Sequence, residues 1–213
     1  MIINVRGGSG AGKSTVIREI MDQYDVRTPH FIEGRKQPLW YDLTNRDPEG
    51  KTLRVLGHYE TPCGGCDTIS KNPGDPDEKA MAFIHRLVRE ADDAGCDVLY
   101  EGVILTTILG ELPQLHEEGR PLVIINLTSD LETCLLGISA RRVEKVLAGA
   151  ENSPTEVRAM RETLSETTVK NNVGKLRSAI KTATQLRNIG VCVFDCDREQ
   201  AVVTIEETLG GVQ

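Results

Sequence analysis

The chain has 213 residues, 39% of them hydrophobic, which is enough for a sizeable core and predicts a single domain over residues 1–213. Its 25 Lys and Arg against 32 Asp and Glu give a formal net charge of -7, which excludes a generally basic surface for nucleic acid but not a local basic groove. The sequence lacks both an apolar run of about eighteen residues and the start of a secretion signal. We therefore expect a cytoplasmic protein without membrane contacts, whose six cysteines are free thiols.

The first predicted strand, "IINV" at 2–5, leads into the glycine-rich segment "RGGSGAGKST" at 6–15. Gly7, Gly12, Lys13 and Ser14 in this segment satisfy the phosphate-loop pattern G-x-x-x-x-G-K-[ST]. The residues that follow have apolar side chains at helical spacing, so a strand, a loop and a helix succeed one another as the motif requires. Residues 7–15 are called the P-loop below.

The P-loop predicts a nucleotide site, because its glycines let successive backbone N–H groups surround an anion at the start of a helix. We expect Lys13 to reach the β- and γ-phosphates and Ser14 to bind Mg²⁺. The guanine motif N-K-x-D does not occur in the sequence, which favours ATP as the nucleotide. The predicted nucleotide-binding residues are Gly8, Ser9, Gly10, Ala11, Gly12, Lys13, Ser14 and Thr15.

Two extended segments, "HFIEGRKQPLWYDL" and "TLRVLGHYE", follow the first helix. In an α/β enzyme such an insert usually carries substrate contacts, and the alternative is a hairpin that covers a sheet edge. If it binds an acceptor, Arg35 and Lys36 would contact a phosphate, and Trp40 or Tyr41 would stack on a base. Both alternatives stay open.

The segment "GHYETPCGGCDTISKNPGDPDEK" at 57–79 contains an unusual Cys-Gly-Gly-Cys turn. His58, Cys63 and Cys66 are possible zinc ligands, although a fourth ligand would have to come from elsewhere, such as Asp67 or Cys96. We favour a substrate loop in which His58 or Tyr59 lies against a flat ring and Asp67 bonds a polar edge.

The rest of the chain alternates helices with apolar runs. The runs are "VLYEGVIL" (98–105), "PLVIINL" (121–127) and "VCVFD" (191–195). Helices are predicted over 77–95, in "LETCLLGISARRVEKVL", over about 155–186, and near the end of the chain. This order predicts a three-layer α/β/α fold of the P-loop NTPase type. We expect a mostly parallel five-stranded sheet, a substrate-binding insert near 30–75 and a helical lid near 141–172.

These features in this order resemble the P-loop kinases of small metabolites and nucleotides. The resemblance implies that Glu101, in "DVLYEG", faces the γ-phosphate as a base or as a Mg²⁺ ligand through water, and that "FDCDRE" covers the adenine. It implies that Arg141 and Arg142 close over the phosphates, with Arg158 and Arg161 on the next helix. The catalytic prediction is therefore Lys13, Glu101, Arg141 and Arg142. There are two alternatives. Glu101 could be an acidic residue at a strand end that faces solvent, and the arginines could lie on solvent-exposed helix faces.

The succession of "INVRGGSGAGKST", "EGRKQPLWY", "GHYETPCGGCDTI" and "LYEGVIL" is similar to bacteriophage P-loop kinases, including those that phosphorylate 5-hydroxymethyluracil in phage DNA. This resemblance implies an acceptor base framed by residues 58–69, a hydroxyl activated by Glu101, and action in the host cytoplasm. DNA would then need a local patch, such as Arg35, Lys36, Arg54 and Lys71.

Two alternatives to a DNA kinase remain at this stage. One is a kinase of free deoxynucleosides or deoxynucleoside monophosphates, which needs no DNA-binding patch. The other is an ATP-binding regulatory protein whose Cys-Gly-Gly-Cys loop binds zinc and a partner. The sequence does not determine the oligomeric state.

Overall fold

The computed structural model describes residues 1–45, 50–61, 64–69, 71–72, 74–149 and 164–210. The strands found there are β1 (Ile2–Arg6), β2 (Val26–His30), β3 (Trp40–Thr44), β4 (Leu53–Leu56), β5 (Lys71–Asn72), β6 (Asp75–Lys79), β7 (Asp97–Glu101), β8 (Leu122–Leu127) and β9 (Cys192–Cys196). The helices are α1 (Lys13–Met21), α2 (Ala80–Asp93), α3 (Val103–Thr107), α4 (Leu112–Glu117), α5 (Leu131–Gly149), α6 (Glu166–Asn188) and α7 (Arg198–Thr208).

The main sheet has seven strands in the order β2-β3-β4-β7-β1-β8-β9, so the prediction of five strands is wrong. The five strands from β4 to β9 in that order run parallel, as predicted, and β3 pairs antiparallel with both β2 and β4. Strand β2, "VRTPH", was missed because it is mostly exposed, contains a proline and has no apolar run. The 30–60 insert therefore extends the edge of the sheet.

The central strands are apolar because both faces of the sheet are covered. Every residue of β1, β7 and β8 is buried. Along β1, Ile2 packs into a cluster with α2, whereas Ile3 and Val5 pack on the opposite face against α1 and α7. Helices thus lie on both sides of a mostly parallel sheet, which confirms the predicted three-layer architecture.

The predicted strand at 98–105 ends earlier than expected, at Glu101. After Gly102 the chain turns into the short helix α3, and the carboxylate of Asp67 accepts the N–H of Val103 at 2.8 and 2.9 Å. An apolar run alone does not distinguish a strand from a buried helix. The turn points the Glu101 side chain towards the end of the sheet that carries the P-loop.

A buried arginine joins the P-loop strand to two helices. Arg6, at the end of β1, is 0% exposed, and burial lowers its pKa to about 10. Its guanidinium donates to the carbonyls of Thr106 (2.7 Å) and Ile108 (3.1 Å) and to Oγ1 of Thr182 in α6 (2.9 Å). Arg6 therefore fixes α3 and α6 relative to the strand that precedes the P-loop.

The predicted lid is described only in part, because residues 150–163, including Arg158 and Arg161, lie outside the described ranges. Its described parts belong to α5 and α6. None of the helices within the described residues is long and apolar enough to cross a membrane.

Replacing Arg6 by alanine should lower the free energy of unfolding by about 3 kcal/mol, because it leaves a buried cavity and carbonyls without donors. Urea denaturation measures this change. The control is Arg27→Ala, which removes an exposed ion pair with Asp22 and should change the free energy by about 0.5 kcal/mol or less. Equal losses in the two variants would contradict the role given to Arg6.

Candidate active site

The P-loop connects β1 to α1 through glycines with positive φ. Gly12 has φ 92° and ψ 9°, a left-handed conformation that favours glycine, and its carbonyl accepts the N–H groups of Thr15 and Val16 at 2.9 and 3.0 Å. Gly12, the capping residue of this helix, has no side chain that could bind the first N–H groups. Its first N–H groups therefore point into the loop as a site for an anion.

Lys13 is held inside the P-loop. Only 5% of the residue is exposed, and Nζ donates to the carbonyls of Gly7 (3.1 Å) and Gly8 (3.0 Å). Burial lowers the pKa of the ammonium, while the carboxylates of Glu101 and Asp67 oppose that shift. The ammonium thus lies where the loop would enclose a phosphate.

Glu101 meets the P-loop across two neighbouring strands. In the sheet register Val5 of β1 lies beside Glu101 of β7, so the residues that follow β1 and the last residue of β7 meet at one edge. Oγ of Ser14 donates to Oε1 of Glu101 at 2.8 Å. A hydroxyl and a carboxylate are oxygen ligands of the kind that Mg²⁺ prefers, so this pair fits the ion that the P-loop motif implies.

Burial also shapes the chemistry of Glu101, which is only 2% exposed. Burial raises the pKa of its carboxyl group, and the charge of Lys13 opposes the rise. A carboxylate with a raised pKa is a better proton acceptor for an alcohol than an ordinary surface carboxylate. Glu101 can therefore serve both as a base and as a holder of the metal.

The two glycines of the Cys-Gly-Gly-Cys turn are explained by close packing of the backbone. A Cβ added at Gly65 (φ 76°) would overlap Oε1 of Glu101, and one added at Gly64 would overlap the carbonyl oxygen of His58. Gly65 N–H donates to that carbonyl at 2.9 Å. Glycine at these positions lets the turn lie directly against the Glu101 carboxylate.

The possible zinc ligands have other partners in the described residues. The ring nitrogens of His58 face the hydroxyls of Thr68 and Thr61, both at 3.1 Å, and burial lowers the pKa of the ring. The thiol of Cys66 donates to the Leu56 carbonyl at 3.8 Å. Among the residues that can be described, no three His, Cys, Asp or Glu side chains form a metal cluster, and Cys63 lies outside them.

A cavity of about 960 Å³ opens at this edge of the sheet. Its lining comes from the P-loop, from α1, from the ends of β7, β8 and β9 and from α5. The lining residues are Ser9, Gly10, Ala11, Gly12, Lys13, Ser14, Thr15, Arg18, Gly64, Asp67, Thr68, Glu101, Val103, Thr128, Ser129, Asp130, Thr133, Gly137, Ala140, Arg141, Glu144, Asp197, Arg198 and Glu199. Ligands of parallel α/β sheets bind at the carboxyl ends of the strands, where this cavity lies.

The strand order divides the cavity into two sides. Strand β1 lies between β7 and β8, so residues after β7 and residues after β8 and β9 flank the P-loop on opposite sides. The β8 and β9 side includes Asp197, Arg198 and Glu199, where "FDCDRE" was expected to cover the adenine. The β7 side carries Glu101, Asp67 and Arg18, and it is called the acceptor side below because the acceptor is expected to bind opposite the adenine.

Asp67 and Arg18 shape the acceptor side. Asp67 accepts the N–H groups of Val103 and Ile104, at 2.8 Å and 3.3 Å for the shortest contact of each, and lines the cavity. Arg18 was not predicted; it donates to the carbonyls of Tyr59 (3.0 Å) and Thr61 (2.6 Å) and so holds the substrate loop against α1. The only indication of Arg18 in the sequence was that a charged residue lies on the polar face of the first helix.

Three predicted acceptor contacts find no support, because the rings are buried away from the cavity lining. Tyr59 is 6% exposed and its hydroxyl donates to the Leu56 carbonyl at 3.2 Å, while the hydroxyl of Tyr41 donates to Glu60. His58 is enclosed by the two threonine hydroxyls described above. These three side chains instead support the substrate loop from the protein interior. This shared role explains why they lie close together in the sequence.

The insert places its other predicted residues differently. Arg35 donates to the carbonyl and to Oγ1 of Thr68, both at 3.0 Å, and thereby ties the insert to the substrate loop. Lys36 is exposed. Trp40 is stacked against His30 with 5.1 Å between ring centroids, and Arg54 lies over the Trp40 ring at 4.9 Å from its centroid, so the indole already has two stacking neighbours.

The two described lid arginines have different positions. Arg141 lines the cavity. Its charge adds to the lowering of the pKa of Lys13 and opposes the rise that burial causes in the pKa of Glu101. Arg142 is exposed and donates to Oγ1 of Thr168 at 3.2 Å, which joins α5 to α6. Arg141 is therefore the lid arginine that shares the cavity with the P-loop lysine.

Gly137 was not singled out from the sequence, although it packs α5 against the P-loop. A Cβ added there would overlap the carbonyl oxygen of Gly10. A glycine inside a helix costs about 1 kcal/mol relative to alanine, so "LLGISARR" carried a signal that some close approach required it.

These features define a P-loop kinase: a P-loop that follows a buried strand, a buried carboxylate bound to its serine, and a cavity with room on both sides of the phosphates. No model of a known protein family matches the chain. Over 208 residues it is 35% identical to the 5-hmdU DNA kinase of Pseudomonas phage PaMx11, covering 98% of this chain and 96% of that protein. The chain belongs to the family of 5-hmdU DNA kinases.

More distant similarities exist as well. The 5-hmdU DNA kinase 1 of Salmonella phage ViI is 30% identical over 142 residues, which are 64% of this chain and 57% of that protein. Among solved structures, the deoxyadenosine kinase from M. mycoides with dCMP and dCDP bound aligns over 99% of both chains, with 12% identity and a TM-score of 0.46. The family and the P-loop site together identify the chain as a kinase.

Glu101→Gln should lower kcat by about a hundredfold or more and leave ATP affinity nearly unchanged, because it removes the base and keeps the shape. In the wild type, kcat/KM should fall as the pH decreases through the raised pKa of Glu101, above the range of an ordinary glutamate. That acidic limb should disappear in the variant. The control is Glu117→Gln, because Glu117 is an exposed residue of α4. Unchanged turnover in Glu101→Gln would make Glu101 structural.

Gly137→Ala should weaken ATP binding about tenfold, since the new methyl group must displace the Gly10 carbonyl and distort the P-loop. Calorimetric titration with ATP measures the change. Gly174→Ala is the matched control, because Gly174 is also helical and a Cβ there would meet nothing within 4 Å. Equal affinities of the two variants would show that the contact between α5 and the loop is not needed.

Proposed function

We propose that the protein transfers the γ-phosphate of ATP to the 5-hydroxymethyl group of 5-hydroxymethyluracil in DNA. The observation that carries the proposal is the 2.8 Å contact between Ser14 and the buried Glu101, beside Lys13. It supports a phosphoryl transfer to an alcohol, because a base and a phosphate site share one edge of the cavity. The names of the phage relatives supply the particular alcohol.

The residues divide the transfer between them. Glu101 takes the proton of the acceptor hydroxyl while the hydroxyl oxygen forms a bond to the γ-phosphorus. At the same time the bond between the γ-phosphorus and the β–γ bridging oxygen breaks, and ADP leaves. Lys13 and Arg141 offset the negative charge on the phosphates. Mg²⁺, held by Ser14 and by Glu101 directly or through water, would supply further neutralisation.

The acceptor base would enter on the side of Asp67 and Arg18. A base in duplex DNA must leave the stack before a buried carboxylate can reach its hydroxymethyl group. The Asp67 carboxylate already accepts backbone N–H groups, but a carboxylate has about four acceptor positions, so it can also bond an N–H on the polar edge of the base. In this proposal Asp67 keeps its predicted role in recognising the acceptor.

DNA binding in this proposal depends on a small positive patch, defined here as Arg35 and Lys36. Arg35 donates to carbonyl and hydroxyl oxygens, which leave its charge uncompensated within the described residues. Arg54 does not join the patch because it forms an ion pair with Asp42 at 2.7 Å, and the Lys71 side chain lies outside the described atoms. Phage DNA is modified in the host cytoplasm, which is where the protein would act.

The proposal is tested by offering γ-labelled ATP to different acceptors side by side. They are the free nucleoside 5-hydroxymethyldeoxyuridine, its monophosphate, unmodified DNA, and DNA with 5-hydroxymethyluracil. We expect label in the modified DNA alone. Rapid labelling of the nucleoside or the monophosphate would instead identify a kinase of free deoxynucleosides or deoxynucleotides, which needs no DNA-binding patch.

The positive patch provides a second readout with the same acceptors. Lys36→Ala should raise KM for the modified DNA about threefold to tenfold at low salt and by less at high salt, because one phosphate contact is lost. KM for ATP should not change. Glu33→Ala is the control, since it alters an exposed charge of opposite sign in the same segment. An unchanged KM for DNA in Lys36→Ala would place the DNA elsewhere.

A further inference from the structure

A lysine distant in the sequence reaches the P-loop from α6. Nζ of Lys175 donates to Oγ of Ser9 at 3.1 Å across 166 positions of sequence, and Ser9 lines the cavity. Lys175 is half-buried, and within the described residues it takes part in no ion pair with a carboxylate. Lys170 on the same helix, in contrast, is exposed and lies 3.9 Å from Glu166.

The same face of α6 is packed against the P-loop. Leu176 lies so close to Gly8 that a Cβ added at Gly8 would be 2.6 Å from it. Asn172, three residues before Lys175 and therefore on the same side of the helix, is 2% exposed. The amide of Asn172 lies beside the thiol of Cys134 in α5 and opposes the rise that burial causes in the pKa of that thiol. This part of α6 is therefore packed against both the P-loop and α5.

The contact determines the direction of the Ser9 hydroxyl. A lysine ammonium has three donors and no acceptor, so Oγ of Ser9 must accept from Lys175, and the hydroxyl hydrogen must point elsewhere. No described group accepts that hydrogen. Because Ser9 lines the cavity, the hydrogen is available to an anion bound in the P-loop.

Charge provides a second reason for this placement. Because the Lys175 ammonium forms no ion pair with a carboxylate within the described residues, its charge beside Ser9 is not offset. An ammonium that polarises a hydroxyl also strengthens the hydrogen bond that the hydroxyl donates. Both effects are greatest when a nucleotide triphosphate occupies the site.

We propose that Lys175 is a positioning residue for the phosphate donor, which orients and polarises the Ser9 hydroxyl towards the triphosphate. Lys175 acts through Ser9, whereas Lys13 and Arg141 face the phosphates directly. The proposal concerns the ATP side of the cavity and does not depend on the identity of the acceptor.

The test measures ATP binding with Mg²⁺ by calorimetry, without acceptor, for Lys175→Gln, Ser9→Ala and the double variant. We expect each single change to weaken ATP binding about tenfold and the double variant to be no weaker than Ser9→Ala. Adenosine binding should not change, because adenosine has no phosphate. Lys175→Arg, which keeps donors and charge, should stay within about threefold of the wild type.

The control is Lys181→Gln, which removes an exposed lysine from the same helix and should leave ATP affinity unaltered. Additive losses in the double variant would overturn the proposal, because they would show that Lys175 does not act through Ser9. The proposal would also be overturned if Lys181→Gln lost as much ATP affinity as Lys175→Gln, or if Lys175→Gln bound adenosine more weakly than the wild type. If Lys175→Gln also lowers the unfolding midpoint, the test depends on Lys175→Arg, which keeps the donors and the charge. A loss of ATP affinity in Lys175→Arg as large as that in Ser9→Ala would then overturn the proposal.

Discussion

The hydrogen bond between Ser14 and Glu101 is the contact on which the rest of the site depends. It exists because two neighbouring parallel strands end at the same level, one leading into the P-loop and the other ending in a carboxylate. The turn at Gly65 lies against that carboxylate, and Asp67 in the same turn fixes the chain that leaves β7. Donor and acceptor sides of the cavity therefore meet at one pair of side chains.

The electrostatics of the site differ from those of the whole chain. The net charge is -7, yet Arg6, Lys13, Arg141 and Lys175 all lie at or behind the P-loop edge of the sheet. Several cations thus lie close to the cavity of a chain that is acidic as a whole. Such a distribution attracts a compact polyanion such as a triphosphate into the cavity and limits indiscriminate binding of nucleic acid outside it.

Local signals predicted the parts of the structure that depend on local chemistry. The P-loop and the parallel apolar strands follow from spacing and composition, and both were predicted. Sequence alone failed where long-range packing decides. Strand β2 is held by its partner and not by its own composition, and the apolar run after Gly102 forms a helix because Asp67, 36 residues away, binds its first N–H.

The site shows the same division between local and long-range causes. Lys13, Ser14 and Glu101 were predicted from a motif and a strand end, and the structure places them in one cavity. Tyr41 and Tyr59 were expected to contact an acceptor, yet burial makes them supports of the loop. Gly137 and Lys175 are significant only because α5 and α6 fold back onto the P-loop, a contact that no spacing in the sequence reveals.

The close approach of Gly65 to Glu101 limits how the enzyme can change its substrate over evolutionary time. Any side chain at Gly65 would displace the Glu101 carboxylate that meets Ser14. Gly65 is therefore the position of the turn at which the fewest substitutions should be tolerated. Changes in the shape of the cavity must come from residues whose side chains line it without holding this carboxylate in place.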